Sequence, residues 1–151
     1  MEPRSVIEEG LKNARMMQIA TVNGDQPWNC TVYFASDDKM NLYWISLRES
    51  RHSKELESHP KVGVAIPLKF DDFKVRGLSI EGEAALVKDK EEIKYGVTLY
   101  CNKFNRGDEW LSDFFAGKIP FVVYRIKPKV IVLTDRVNFP DNERQEYKLE
   151  S

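Results

Sequence analysis

The Asn23-Gly24 pair, set between two strand-like runs, does most to restrict the fold of this chain. Met16 to Val22 (Met-Met-Gln-Ile-Ala-Thr-Val) is dominated by apolar and β-branched residues. Trp28 to Ser36 (Trp-Asn-Cys-Thr-Val-Tyr-Phe-Ala-Ser) follows, opened by Pro27. Asn-Gly tolerates the positive φ angles of a tight hairpin, so the two runs are expected to pair antiparallel. Asp37-Asp38-Lys39 marks a second turn, and Asn41 to Ser46 reads as a third strand. Three strands in a meander favour an antiparallel sheet.

The flanking segments add helices and more strands. After Pro3, Ser5 can cap a first helix, with Ile7, Leu11 and Ala14 on one face and Gly10 weakening it. Lys61 to Pro67 alternates as a fourth strand, and Phe70 to Phe73, with two aspartates between, reads as a turn. Lys74 to Lys88 is a long strand pattern interrupted by Gly77 and Gly82, where a barrel could turn its corner. Asp89 and Glu92 have capping-box spacing and open a helix with Ile93, Val97, Tyr100, Cys101 and Phe104 on its apolar face. Asn105-Arg-Gly-Asp108 breaks it. Asp108 can then cap a short helix from Glu109 to Phe115, with Gly117 after it. Ile119 to Lys127 and Lys129 to Thr134 read as two strands divided by Pro128. The tail from Asp135 is polar but carries Phe139 and Tyr147, so it is expected to dock, on its own chain or on a second subunit. Six or seven short antiparallel strands with about three helices imply one domain over residues 1–151, mainly β: a small barrel with peripheral helices.

Composition excludes several function classes. Lys plus Arg number 23 against 24 Asp plus Glu, which argues against nucleic-acid or membrane-surface binding through bulk charge. Cys30 and Cys101 lack metal-type spacing and suggest a reducing compartment. His52 and His59 have no cysteine or carboxylate ligands beside them in a known pattern, so no metal site is expected. With no apolar run of membrane-spanning length, a cytoplasmic location is the expectation.

The stretch Leu42 to Val62 carries the functional signal. A strand ends in Ser46, and a short turn leads into a helix stopped by Pro60. Around the helix start lie Ser46, Arg48, Ser50, Arg51, Ser53 and Lys54. Free N–H groups at a helix start, with the positive end of its dipole, attract anions, and hydroxyl and guanidinium donors sharpen such a site toward phosphate. Routine serine capping of a surface helix accounts for the same residues, and on the stretch alone the two readings stand side by side.

The run Ser50-Arg51-His52-Ser53-Lys54-Glu55-Leu56 resembles the Ser-Arg-Lys-x-Lys-Glu-Leu segment of pyridoxamine 5′-phosphate oxidases. Its setting is similar too, from Ile19-Ala20-Thr21-Val22 through Pro60 to Val64 and Ile80-Glu81-Gly82, and more loosely through Tyr124 to Asp135. The resemblance implies a split β-barrel with a Greek-key core, forming homodimers that hold FMN in clefts between subunits. Arg51 and His52 stand where the family places an Arg-Lys pair on the flavin phosphate, and Ser50 and Lys54 add donors. Ile45 and Ser46 stand where a backbone segment and a hydroxyl meet the cofactor. Asn29, Cys30, Thr31 and Val32 lie on the strand along the flavin ring, and Gly77 replaces a Gln. With His52 in place of a Lys, flavin affinity is expected to fall as pH rises through the histidine titration.

The substrate half of the pattern departs from the family. Asn29 and Phe34 replace an Arg and a Lys, and Leu99 replaces the Arg that grips the substrate phosphate, although Tyr95 is kept. No histidine follows residue 59, so the C-terminal Arg-x-His motif is missing. The resemblance therefore implies a member of the general FMN-binding branch, an oxidoreductase acting on a small molecule other than pyridoxamine phosphate. No side chain is assigned a catalytic role, because a flavin carries its own redox chemistry. The competing readings are a flavin-binding or storage protein without turnover, a small-ligand sensor, a haem or deazaflavin binder, and an empty barrel.

Overall fold

The computed structural model describes residues 1–69 and 73–149. In chain order the elements are α1 (Pro3–Asn13), β1 (Met16–Asn23), β2 (Gln26–Tyr33), β3 (Ala35–Ser36), β4 (Leu42–Ser46) and α2 (Arg51–Ser58). They continue with β5 (Lys61–Pro67), β6 (Arg76–Leu86), α3 (Lys90–Phe104), α4 (Asp108–Phe115), β7 (Val122–Asp135) and β8 (Arg144–Lys148). All strand pairs are antiparallel, in the order β2-β1-β5-β6-β7-β4-β3, with β8 added to β7. Phe34 alone separates β2 from β3, the two ends of that path, so the sheet curls round on itself as a split barrel.

The hairpin forms one residue later than its dipeptide suggests. Asn23 pairs with Gln26, leaving Gly24 and Asp25 as the loop, and Gly24 takes the left-handed φ of +62°. The expected second strand, 28–36, starts at Gln26 and breaks at the fully buried Phe34. Its first part pairs with β1 and its last two residues pair with β4, so one run serves both halves of the barrel. The meander therefore closes through β3 alone, while β4 finds its main partner in β7.

Two expected strands, 119–127 and 129–134, are one. β7 runs through Pro128, which lies opposite Gly82 at a register shift between Glu81 and Gly82. A proline lacks the N–H that a regular ladder needs, and a bulge accommodates it. Gly82 fits the same spot because a Cβ there would lie 2.6 Å from Ile126 Cγ2 and 3.0 Å from the Lys127 carbonyl. The long β7 pairs with β4 through its first residues and with β8 through its last. The polar tail thus docks on its own chain, contributing an eighth strand beyond the six or seven expected. The turn expected at residues 70–73 lies outside the described residues except for Phe73.

The helices follow local rules with two corrections. α1 starts at Pro3 with Glu2 as N-cap, placing Ser5 inside its first turn; proline suits that start because its missing N–H would have had no partner. α4 starts at Asp108 itself, after Gly107. At α3 the Asp89 carboxylate accepts from the Glu92 N–H at 3.0 Å, as the spacing predicts. The barrel is filled by Met17, Ile19, Leu42, Trp44, Ile66, Leu78, Tyr124, Ile126, Ile131 and Leu133. α1 adds Ile7 and Leu11 to that core, and α2 adds Leu56. Each such aliphatic side chain contributes roughly 1.5–3 kcal/mol by burial. A second apolar cluster joins α3 to the outer face of the barrel through Tyr43, Val97, Cys101 and Val123. Close approach there requires Gly96, whose Cβ would stand 2.7 Å from the Tyr43 ring.

Candidate cofactor site

The start of α2 sits where the β4 strand ends. Ser50 is its N-cap residue by backbone conformation, yet its side chain makes no capping hydrogen bond. The Ser50 hydroxyl donates to the Leu47 carbonyl at 2.8 Å and lies 2.7 Å from the Ser53 hydroxyl. Ser53, fully buried, donates to the same carbonyl at 2.9 Å. Both hydroxyls therefore fix the turn, leaving the first N–H groups of α2 without an intrahelical or side-chain partner. The first turn carries Arg51 and no acidic residue, a choice that opposes the helix dipole. The i,i+4 ion pair of Arg51 with Glu55 offsets part of that cost.

Arg51 is held on two sides. Its Nε–H donates to Glu55 Oε2 at 2.9 Å, and its guanidinium carbon lies 3.9 Å from the centre of the Trp28 ring. Among the described residues its Nη groups make no hydrogen bond, and the side chain remains 46 % exposed. Glu55 is itself buried and accepts a second bond from Thr21 Oγ1 at 2.8 Å. The hydrogen bond from Arg51 holds the Glu55 carboxyl below its ordinary range; burial opposes this, and Thr21 adds to it. Lys54 points elsewhere, to the exposed Glu49 at 3.2 Å.

His52 moves the expected pH dependence to lower pH. Its ring is buried, with Nε2 3.1 Å from Ser46 Oγ, and burial lowers its pKa below the ordinary 6.5 despite the opposing pull of Glu55. It is therefore neutral near neutrality and supplies a ring nitrogen and shape, not charge. The Ser46–His52 contact joins the end of β4 to the first turn of α2. His59 forms the C-cap of α2 and is exposed, so the two histidines share no site.

Strand alternation divides the remaining candidates. Trp28, Cys30 and Val32 share one face of β2, with Cys30 and Val32 packed against the barrel core; Asn29 and Thr31 lie on the other, exposed face. The Cys30 thiol is pushed up to about 11 by burial and the nearby Glu55 carboxylate, so it is protonated and unreactive near neutrality. Ser46 faces the α2 side, whereas Ile45 packs into the α3 cluster. Gly77 is distant: it pairs with Pro67 and Thr134, five residues along β6 from Gly82, or about 17 Å of strand. Within one chain the structure brings together Trp28, Cys30, Ser46, Ser50, Arg51 and His52, and leaves Gly77 apart. At the substrate-side positions, Phe34 is fully buried, Leu99 packs in the α3 cluster, and Tyr95 donates to Asp37 at 3.3 Å.

The sequence reading missed Thr21 and Glu55. Glu55 was legible as the i+4 neighbour of Arg51, but its bond to Thr21 spans 34 residues and leaves no local signal. The reading also missed a groove of about 680 Å³ between α1, α3 and the β3–β4 turn, lined in part by Leu11, Met40, Leu99 and Lys103. There the Lys103 ammonium donates to the Leu11 and Ala14 carbonyls and lies over the Phe34 ring, and burial lowers its pKa to about 8. Among the described residues no cluster of three or more His, Cys, Asp or Glu could hold a metal, and no helix is long and apolar enough to cross a membrane.

Solved structures share the fold. The conserved hypothetical protein Rv2991 of Mycobacterium tuberculosis superposes with a TM-score of 0.79 at 19 % identity, covering 93 % of this chain and 89 % of that one. An FAD-binding protein of Mesorhizobium loti gives 0.69 at 17 % identity, covering 86 % and 90 %. A heme-binding protein of Mycobacterium smegmatis gives 0.74 at 11 % identity, covering 98 % of this chain but 59 % of that one. At these identities the likeness concerns the fold alone. No curated protein matches the sequence. The family profile described as pyridoxamine 5′-phosphate oxidase matches residues 4–135, nearly the whole barrel. By that match and by its antiparallel split barrel, the chain belongs to the pyridoxamine 5′-phosphate oxidase family.

Proposed function

We propose that this protein binds flavin mononucleotide, with the phosphate at the start of α2 and the ring along β2, and that it acts as a homodimeric oxidoreductase on a small molecule. The observation that carries this reading is the first turn of α2: N–H groups without a cap, no acidic residue, and Arg51 held over the Trp28 ring with no hydrogen bond on its Nη groups among the described residues. This donor set fits a phosphate, which takes charged and neutral N–H donors together. Arg51 would hold the phosphate and the Ser50–Leu47 turn would shape its pocket, while the Ser46–His52 contact keeps β4 and α2 in register. A bound flavin supplies the hydride or electron transfer. The protein's part is to bind, orient and shield it.

The substrate is a different molecule from pyridoxamine phosphate. The cations that would grip that substrate are replaced by Asn29, Phe34 and Leu99, and Phe34 and Leu99 are built into apolar clusters. Haem is disfavoured because His52 is buried against Ser46 and His59 lies at the exposed end of α2. The visible spectrum of the purified protein tests the main reading. A flavin spectrum with FMN released on denaturation is expected; a colourless protein that FMN cannot reconstitute would overturn it. Replacing Arg51 with Ala should cost roughly 1.5–3 kcal/mol of FMN binding, or about 10- to 150-fold in Kd by fluorescence titration. Reduction of the bound flavin by NADH or NADPH separates turnover from storage.

A further inference from the structure

Glu55 is oddly placed for a residue beside an anion site. It puts a buried carboxylate within one helical turn of the cation that the phosphate needs. Nor is the pair a good helix stabiliser, since Arg51 precedes Glu55 and both charges oppose the dipole in that order. Charge alone makes Glu55 a cost to anion binding. Geometry gives it another role. One carboxylate oxygen takes the Arg51 Nε–H at 2.9 Å, and the other is fixed by Thr21 Oγ1 at 2.8 Å from strand β1. Trp28, directly opposite Thr21 in the β1–β2 ladder, takes one face of the same guanidinium. Of the five N–H donors of Arg51, the one on Nε is used and the four on the Nη atoms are left. The side chain loses its freedom to swing before any ligand arrives, so less entropy is lost on binding.

We infer that Glu55, anchored by Thr21, is the positioning residue that aims Arg51 and so makes the site prefer the phosphorylated flavin over riboflavin. The inference rests on the proposed FMN reading and adds a cause of selectivity to it. Positioning and simple electrostatics predict opposite signs. If only charge mattered, removing the carboxylate would tighten FMN binding. Under positioning, Glu55→Leu weakens FMN about tenfold and leaves riboflavin unchanged, because riboflavin has no phosphate to meet Arg51. Glu55→Gln, which keeps an acceptor for the Nε–H, recovers most of the loss. In an Arg51→Ala background Glu55→Leu has no further effect.

The measurements are fluorescence titrations of FMN and riboflavin against the full-length protein and these variants, with thermal melts to establish folding. Thr21→Val, which keeps the Arg51–Glu55 pair and shape but removes the anchor, gives an intermediate loss and serves if Glu55→Leu does not fold. Unchanged or tighter FMN binding in Glu55→Leu, or an equal loss for riboflavin, overturns the inference. If Arg51→Ala itself leaves FMN affinity unchanged, the phosphate placement fails instead, and the two failures are told apart.

Discussion

At the scale of single residues, His52 shows how burial changes what a side chain can do. Its position in the Ser50–Leu56 run suggests a cation near phosphate, but the ring is enclosed and burial lowers its pKa below 6.5. Flavin affinity is therefore expected to stay flat from pH 7 to pH 9, since His52 is already neutral there. Its effect moves to stability. The unfolded chain takes up the histidine proton first as pH falls through about 6.5, and the folded protein resists it until lower pH. The contribution of neutral His52 is thus full above pH 6.5 and declines as pH falls through the window between the two pKa values. Urea unfolding at pH 8 and pH 5.5, for wild type and His52→Gln, checks this: the wild-type advantage should shrink at the lower pH. An advantage independent of pH would show that the ring does not titrate in that window.

At the scale of elements, Asp135 does for the sheet what Glu55 does for the α2 site. It ends β7 fully buried, accepts from Arg76 at 2.9 and 3.2 Å, and takes the Val137 and Asn138 N–H groups at 3.1 Å each. Burial pushes its carboxyl up, but the bonds from Arg76 and Asn138 outweigh this and leave the pKa lowered. One side chain thereby ties the start of β6 to the end of β7 and shapes the turn into β8. Asp135→Ala strands Arg76 and should destabilise the fold by roughly 3–5 kcal/mol in chemical denaturation; a loss under 1 kcal/mol would mean solvent already satisfies the arginine. Neither Arg76 nor Asp135 stands out in sequence, because the ion pair joins residues 59 apart. What was legible is local: Gly24 in its turn, Asp89 and Glu92 at a helix start, and the serine-rich start of α2. Phe34 reads as ordinary strand, and only its burial between two half-barrels makes it a break. The segment Arg144–Lys148 reads as part of a docking tail and not as a strand, because its alternation shows only once Gln145 and Tyr147 are half-buried where it pairs with β7.

At the scale of the whole molecule, the surface carries apolar groups that one chain does not cover. Met16 and Tyr33 face each other across the β1–β2 ladder, each 48 % exposed, and α4 leaves Phe115 50 % exposed while its Trp110, Leu111 and Phe114 pack part-buried on the α3 cluster. β2 is also an end strand of the sheet path, and its Asn29, Thr31 and Tyr33 face is exposed. A second copy would cover such a face, which is why the proposed function includes a homodimer. Two measurements follow. Light scattering after size exclusion should give about twice the chain mass, and the melting temperature should rise with protein concentration, because association stabilises the folded state by mass action. Met16→Lys with Tyr33→Glu places opposite charges across the strand pair, which offsets loss of the Tyr33–Phe104 edge contact. That variant should run as a monomer, keep its fold, and bind FMN at least tenfold more weakly if the cleft needs both chains. A folded monomer with unchanged FMN affinity would place the whole site in one chain.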